Sequence, residues 1–178
     1  MEMLIRQAGF NDISVLSELY QKQFEYQLSL NPYYELVDNF DWKVFTNGKL
    51  NRTNAVVYAA VFGSTIAGFI DIRIVHFNSQ KKGRFLSFLP KLSRTKKQPG
   101  LPLKPMKCGL IENCYIAPEF RRHGVGSRLV DEARKWFSKN DIHRIEISVA
   151  AQNPEALDFW KRCGFEPFRV LCFTITGK

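Results

Sequence analysis

Residues 111–137 read IENCYIAPEFRRHGVGSRLVDEARKWF and form the most informative stretch of the chain. An apolar strand pattern leads into a turn rich in Arg and Gly, and a helical pattern follows with its apolar residues on one side. The first turn of a helix has unpaired N–H groups and a partial positive charge, which attract anions. Gly124 and Gly126 lack a Cβ, so a pyrophosphate can approach the backbone, and Arg121 and Arg122 add charge. The stretch predicts an anion site, although a capped helix start with two turn glycines fits the same string.

Outside this stretch, short strand patterns alternate with helical ones. Asp12 is expected to cap the first helix, and Asn31-Pro32 to end it. Gly63-Ser64 is expected to turn the second and third strands into an antiparallel hairpin. The expected helices are a first one from Ile13, then Asn39–Leu50, Gly124–Phe137 and Pro154–Cys163. The expected strands are Met3–Arg6, Ala55–Phe62, Ile66–Phe77, Cys108–Ile116, Arg144–Val149 and Phe168–Ile175.

Size and composition indicate one globular domain over residues 1–178. The chain has 178 residues with ordinary apolar and charged fractions of 45% and 24%, whereas two full cores need a longer chain. No apolar run reaches the ~18 residues that span a membrane, and Met1–Phe10 lacks the pattern of a signal peptide. The four cysteines form no CxxC pair, so we expect a reduced, cytoplasmic protein without a metal site.

The net charge of +9 comes from one segment. Residues 78–107 contain nine Lys or Arg and no acid, and the rest of the chain has equal numbers of both signs. We interpret this segment as an insertion in the domain. Three roles remain open for it: a lid over a phosphate-rich ligand, a surface for a polyanion such as nucleic acid or the ribosome, or a solvated loop.

Two motifs resemble those of the GNAT N-acetyltransferases. Ile116–Gly126, with the Ala-Pro pair, Arg121 and both glycines in place, is similar to that family's motif A. Downstream, Asn153–Phe165 is similar to motif B, with its Asn, Ala, aromatic pair and final Gly-Phe at the expected spacing. The resemblance implies an α/β (α+β) fold with a central, mixed, mostly antiparallel twisted sheet. Six to seven strands and about four flanking helices are expected.

The same resemblance implies acetyl-CoA as co-substrate and no metal. Asn153 would hydrogen-bond the pantetheine arm, and it can also cap a helix. His123 is expected to contact phosphate or solvent. The positions implied to bind the cofactor are Cys114, Tyr115, Ile116, Arg121, Arg122, His123, Gly124, Val125, Gly126, Ser127, Asn153 and Trp160.

Acyl transfer to an amine needs a base, an oxyanion donor and a departing thiolate. Strand alternation would place Glu112, Cys114 and Ile116 on one face. Glu112 is the candidate base, or alternatively a carboxylate paired with Arg or Lys. The resemblance implies a strand bulge whose oxyanion donor lies near Tyr115 or Ile116.

The family often has a Tyr acid in motif B, where this chain has Trp160, whose indole N–H releases no proton at useful pH. Another tyrosine or a water would then act as the general acid, or the CoA thiolate leaves without protonation. The pKa of a free CoA thiol is close to that of Cys, about 8.5, which allows unaided departure. The candidate tyrosines are Tyr115, Tyr58, Tyr33 and Tyr34. Tyr115 and Glu112 are the predicted catalytic residues.

These features predict direct acetyl transfer from acetyl-CoA to a primary amine of a small molecule or protein, in a ternary complex. The alternative is a non-catalytic CoA-binding module whose residues 78–107 bind nucleic acid or the ribosome. A monomer or a homodimer is compatible with the sequence, and no membrane partner is expected.

Overall fold

The described part of the chain forms one five-stranded sheet with helices on both faces. The computed structural model describes residues 2–30, 33–77, 104–172 and 174. The strands are β1 (Met3–Gln7), β2 (Ala55–Phe62), β3 (Thr65–Phe77), β4 (Met106–Ile116) and β5 (Ile145–Ile147). The helices are α1 (Ile13–Ser29), α2 (Trp42–Leu50), α3 (Val125–Lys139) and α4 (Pro154–Arg162). Short 3-10 turns occupy Phe10–Asp12 and Pro118–Phe120.

The spatial order of the strands equals their order in the chain. β1 to β4 pair antiparallel, as hairpin connections allow, whereas β5 runs parallel to β4 after the crossover through α3. One face of the sheet packs on α3 and α4 around Leu129 and Phe137. The other packs on α1 around Leu16, Tyr20 and Phe69. The sheet is therefore buried on both faces near its centre.

The helix starts follow from local chemistry in two cases. The Asp41 side chain accepts the Val44 N–H and caps α2, and the Asn153 side chain accepts the Ala156 N–H and caps α4. Asp12 stands before α1 but its side chain does not cap the helix. It binds the Arg6 guanidinium instead, at 2.7 Å from each carboxylate oxygen. The predicted cap was wrong because a charged partner on β1 competes for the same oxygens.

The described sheet has five strands, fewer than the six to seven expected. Within 168–172 and at 174 no strand forms, although Phe168–Ile175 was predicted to be one. Val170 and Leu171 are exposed, because an alternating apolar pattern becomes a strand only where a neighbouring strand edge pairs with it. Most of the basic segment, residues 78–103, lies outside the described residues. No helix in the described ranges is long and apolar enough to cross a membrane.

Candidate active site

A β-bulge interrupts the pairing of β3 and β4. Asp71 pairs with Asn113 and Ile72 pairs with Ile111, which leaves Glu112 as an extra residue on β4. A bulge breaks the strict alternation of side chains, because two residues of one strand oppose one residue of its neighbour. Glu112 and Asn113 both contact groups on the α1/α2 face of the sheet. The bulge thus changes which face each later residue of β4 occupies.

The predicted common face for Glu112, Cys114 and Ile116 is therefore wrong. Cys114 and Ile116 pack into the core on the α3 face, whereas Glu112 contacts Lys49 of α2 on the opposite side. Alternation was a sound rule before and after the bulge, but the extra residue shifts its phase.

The backbone of β4 presents unpaired groups just beyond the bulge. Ala117 donates its N–H to the Ala67 carbonyl at 2.9 Å, so this is a hydrogen-bonded antiparallel pair. Pairs alternate along such a ladder, so Cys114 and Ile116 occupy the non-hydrogen-bonded positions. Their N–H and C=O groups consequently point away from β3, toward the side of β5.

β5 does not reach these groups. The parallel pairing of β4 with β5 begins at Gly109↔Ile145 and ends at Ile111↔Ile147. Beyond Ile147 the segment that follows β5 no longer pairs with β4, which creates a gap beside Cys114 and Ile116. We call this the β4–β5 gap. Its β4 side provides two backbone N–H donors, one of which belongs to Ile116, where the oxyanion donor was expected.

The turn of motif A ends beside this gap. Arg122 has φ +66° and Gly124 has φ +75°, two left-handed residues that redirect the chain into α3. No side chain caps α3, and the first intrahelical bond at this end is from the Arg128 N–H to the Gly124 carbonyl. The N–H groups of residues 125–127 are thus free for an anion. A Cβ on Gly124 would meet nothing within 4 Å, so the space beside its backbone is open.

Gly126 has a different task from the one predicted. A Cβ at this position would lie 2.9 Å from the Phe159 ring of α4. The missing side chain lets α4 pack closely on α3, and it does not make room for a pyrophosphate. Its backbone N–H remains among the free donors of the helix start.

Arg121 links the turn to the gap. Its Nε donates to the Ile116 carbonyl at 3.0 Å, and its guanidinium lies 5.9 Å from the centre of the Tyr115 ring. Arg122 and His123 are exposed in the same turn. The predicted anion-binding residues of motif A are therefore together in space. Tyr115 itself is buried on the α1/α2 face.

An open cavity of about 760 Å³ adjoins the other side of this turn. Phe62, Phe120, His123 and Arg128 contribute to its walls, and the gap residues Cys114 and Ile116 do not. The cavity therefore lies beside the expected pyrophosphate site, away from the β4–β5 gap.

Asn153 of motif B faces α1 across the gap. Its Oδ1 accepts the Ala156 N–H at 3.1 Å and the Tyr26 hydroxyl at 3.5 Å. With the oxygen engaged, the Nδ2 amide group stays available as a donor. Tyr26 belongs to α1, 127 residues earlier in the chain. Nothing in the sequence singled it out, because its partner is defined only by how α1 packs across the sheet.

Trp160, at the position of the family's tyrosine, is a core residue. It is 6% exposed and packs edge-on against Phe159 and Phe165. The half-buried Cys114 side chain also packs on this side, and desolvation of its thiol raises the pKa to about 12. A thiol with such a pKa stays protonated at neutral pH and is a poor nucleophile.

Of the other candidate tyrosines, Tyr58 lies on β2, where burial raises the pKa of its hydroxyl. Its side chain packs on the α3 face. Tyr33 and Tyr34 are exposed before α2.

Glu112 is held by three cations. Its carboxylate accepts from Lys49 at 2.8 Å and from Arg52 and Arg73 at 2.5 Å each. Burial by itself would raise the pKa of Glu112, but the hydrogen bond and charge of Lys49, with the charges of Arg73 and Arg52, hold it below its ordinary value. These contacts support the ion-pair alternative for Glu112, because a carboxylate with a lowered pKa is a weak base.

A buried polar cluster continues inward from Glu112. Lys49 also donates to Asp71 at 2.6 Å, and Asn113 joins Asp71 to Gln23 of α1. Asp71 is fully buried, and one of its oxygens has no partner among the described residues. Burial and the negative charge of Asp71 raise the pKa of Tyr20 well above its ordinary value, so its hydroxyl stays neutral. Both carboxylates of the cluster depend on Lys49.

Comparison with known sequences identifies the family. A profile of the acetyltransferase (GNAT) family matches residues 13–165. The chain belongs to the GNAT acetyltransferase family. An uncharacterized N-acetyltransferase of Methanocaldococcus jannaschii is 33% identical over 61 residues, and spermidine N(1)-acetyltransferase of Vibrio cholerae is 35% identical over 66 residues. These matches cover 34% and 35% of this chain but only 27% and 38% of those relatives.

Solved structures agree on the fold of this GNAT domain. A mutant of the BH1408 protein from Bacillus halodurans superposes with a TM-score of 0.76 at 15% identity, covering 97% of this chain and 99% of that one. The aminoglycoside acetyltransferase AAC(6')-Iy, in complex with a bisubstrate analogue of CoA, gives a TM-score of 0.65 at 16% identity. In that comparison 100% of both chains is covered.

Proposed function

We propose that this GNAT domain is an acetyl-CoA-dependent N-acetyltransferase that acts on a primary amine. The observation that carries the proposal is the β4–β5 gap. There the N–H groups of Cys114 and Ile116 lie on the edge of β4 that β5 leaves unpaired. This edge lies next to the free N–H groups at the start of α3. One surface thus offers backbone donors for a thioester and for a pyrophosphate.

The residues present fit acetyl-CoA in two regions. The N–H groups of residues 125–127, with Arg121 and Arg122, would hold the pyrophosphate. The β4 edge and the free amide of Asn153 would hold the pantetheine arm as an added strand in the gap. Acetyl-CoA supplies an activated acyl group, and the backbone donors of Cys114 and Ile116 would stabilise the negative charge that develops on its carbonyl oxygen.

We propose that the acceptor amine reaches the gap from the side of α1 and α2, since the side chains of Cys114 and Ile116 pack into the core on the α3 side. The high pKa of the Cys114 thiol speaks against a covalent acyl-enzyme at this residue. We therefore propose direct transfer between the two bound substrates, with the departing CoA thiolate tolerated near neutral pH.

The proposal is tested by isothermal titration with acetyl-CoA, followed by a thiol-release assay with a panel of amines. Micromolar binding and amine-dependent release of CoA would support the enzyme. Binding without turnover of any amine would favour the non-catalytic CoA-binding module, for which Trp160 at the usual tyrosine position is the specific observation. Absence of binding would refute both.

Tyr26→Phe is expected to raise the KM for acetyl-CoA about three- to tenfold, because a lost neutral hydrogen bond costs about 0.5–1.5 kcal/mol. Without the hydroxyl, Asn153 loses the contact that orients its amide toward the gap. Steady-state kinetics at saturating amine measure the change, and Tyr34→Phe is the exposed control. A fall in kcat above pH 8 with an unchanged KM would instead assign Tyr26 to protonation of the thiolate.

Glu112→Gln is expected to leave the acetyl-CoA affinity within about twofold and to lower the free energy of unfolding by about 1.5–3 kcal/mol at pH 7. Because the folded-state pKa of Glu112 is lowered, its ion pairs stabilise the fold above about pH 4.5 and are lost as the pH falls further. The stability difference between the two proteins should therefore shrink below pH 4.5. A purely catalytic Glu112 predicts equal stability and loss of the acidic limb of the pH–rate profile.

A further inference from the structure

The two arginines bound to Glu112 are partly exposed. Arg52 donates to the carboxylate through Nη1 and Arg73 through Nε, and their side chains are 38% and 33% exposed. A guanidinium has five N–H donors. Within residues 2–30, 33–77, 104–172 and 174, neither guanidinium group has another hydrogen-bond partner. Each therefore presents unused donors in a fixed orientation.

The charges around Glu112 do not balance. Among the residues that the structure describes, Lys49, Arg52 and Arg73 pair with two carboxylates, those of Glu112 and Asp71. The inner part of the cluster is closed, because Lys49 and Asp71 are buried and bind each other. The surplus positive charge is left on the two exposed guanidinium groups. A partly buried surplus charge favours a counter-ion, and guanidinium groups bind carboxylate and phosphate groups through paired hydrogen bonds.

This charged edge lies on the side proposed above for the entry of the acceptor. Glu112 is on the α1/α2 face, two residues before Cys114, whose N–H faces the gap. Because Glu112 is the extra residue of the bulge, the two positions are closer along β4 than two residues of a regular strand. An acceptor whose amine reaches the thioester can therefore place a second group on Arg52 and Arg73.

We propose that Arg52 and Arg73 form an anion subsite of the acceptor pocket, so that the preferred acceptor bears a carboxylate or phosphate in addition to its reactive amine. Glu112 holds both guanidinium groups in position for this anion. The inference rests on the acetyltransferase function proposed above and narrows its substrate class. It disfavours polycations such as polyamines and aminoglycosides, because the surplus charge repels them.

Matched acceptors test the subsite on the wild-type protein. A dipeptide carries an amine at one end and a carboxylate at the other, so the dipeptide acid is compared with its C-terminal amide. A phosphorylated aminoalcohol is compared with the free aminoalcohol, and spermidine serves as the polycation. We expect the KM of at least one anionic acceptor to be at least tenfold below that of its neutral partner. The acceptor pair that shows this difference tells whether the subsite binds a carboxylate or a phosphate.

Arg52→Ala and Arg73→Ala should each reduce that preference to within about twofold, while Arg162→Ala on α4 should keep it. Arg52→Lys and Arg73→Lys retain the charge and should keep part of the preference for the anionic acceptor. They replace the alanine variants if those fold poorly. Equal KM values for each acid and its neutral partner, or a lower KM for spermidine, would overturn the subsite.

A failure of the proposed function is recognised separately. If no amine is acetylated although acetyl-CoA binds, titration of the CoA-bound protein with the dipeptide acid and its amide still decides the subsite. Tighter binding of the acid, lost in Arg52→Ala, supports it, and equal binding refutes it.

Discussion

Gly124→Val is expected to weaken acetyl-CoA binding by about 100-fold, or about 2.7 kcal/mol. Gly124 has φ +75° at the start of α3, and the space beside its Cα is open. A valine would place its branched side chain in the space where we propose that the pyrophosphate meets the free N–H groups of residues 125–127. It would also strain the left-handed backbone that aims these groups. Titration calorimetry with acetyl-CoA measures the loss.

Gly164→Val is the matched control for this experiment. Gly164 also has a positive φ, +77°, but it follows α4, and a Cβ there approaches only the Arg134 side chain, at 3.8 Å. Both variants should lose a similar amount of stability from backbone strain, on the order of 1–3 kcal/mol. Only the Gly124 variant should lose acetyl-CoA affinity. If a folded Gly124→Val protein binds acetyl-CoA normally, the pyrophosphate is not at this turn.

Lys49→Met is expected to lower the free energy of unfolding by about 3–5 kcal/mol, the usual cost of leaving one member of a buried ion pair alone. Asp71 is fully buried and Lys49 is its only cationic partner among the described residues. Methionine keeps the length of the side chain and its packing against Phe45 but removes the charge. Urea unfolding at pH 7 measures the difference.

Two variants separate this effect from the loss of any lysine on α2. Lys43→Met, on an exposed position of the same helix, should change the stability by less than about 0.5 kcal/mol. The double variant Lys49→Met/Asp71→Asn removes both charges and should recover at least about half of the loss. A loss below about 1 kcal/mol for Lys49→Met, or no recovery in the double variant, would show that Asp71 does not depend on Lys49.

The sequence predicted those parts of the site that depend on neighbouring residues. Motif A gave the order of strand, turn and helix, and the positive φ of Gly124 is the local feature that its glycine signals. Asn153 was expected either to cap a helix or to hydrogen-bond the pantetheine arm. The cap is observed, and its amide remains free for the second role. Short-range spacing suffices for such predictions, because turn and cap geometry involve residues three or four positions apart.

Predictions that depended on packing were less accurate. The sequence did not predict that the Cα of Gly126 lies against Phe159, nor that Trp160 is buried in the core. In each case the side chain of another helix decides the environment. The predicted last strand does not form within 168–172 or at 174, because these residues pair with no neighbouring strand in the described sheet.

By itself the sequence determined the family, the five elements that build the sheet and the position of the turn that we propose binds the pyrophosphate, because these are encoded in local pattern and spacing. Only the tertiary structure decided the chemistry around Glu112. The bulge places Cys114 and Ile116 on the α3 face, so Glu112 lies apart from them on the face where Lys49, Arg52 and Arg73 converge. The contact of Tyr26 with Asn153 likewise exists only in the folded chain. Charge–charge contacts over such sequence distances depend on how the elements pack, and no local pattern records them.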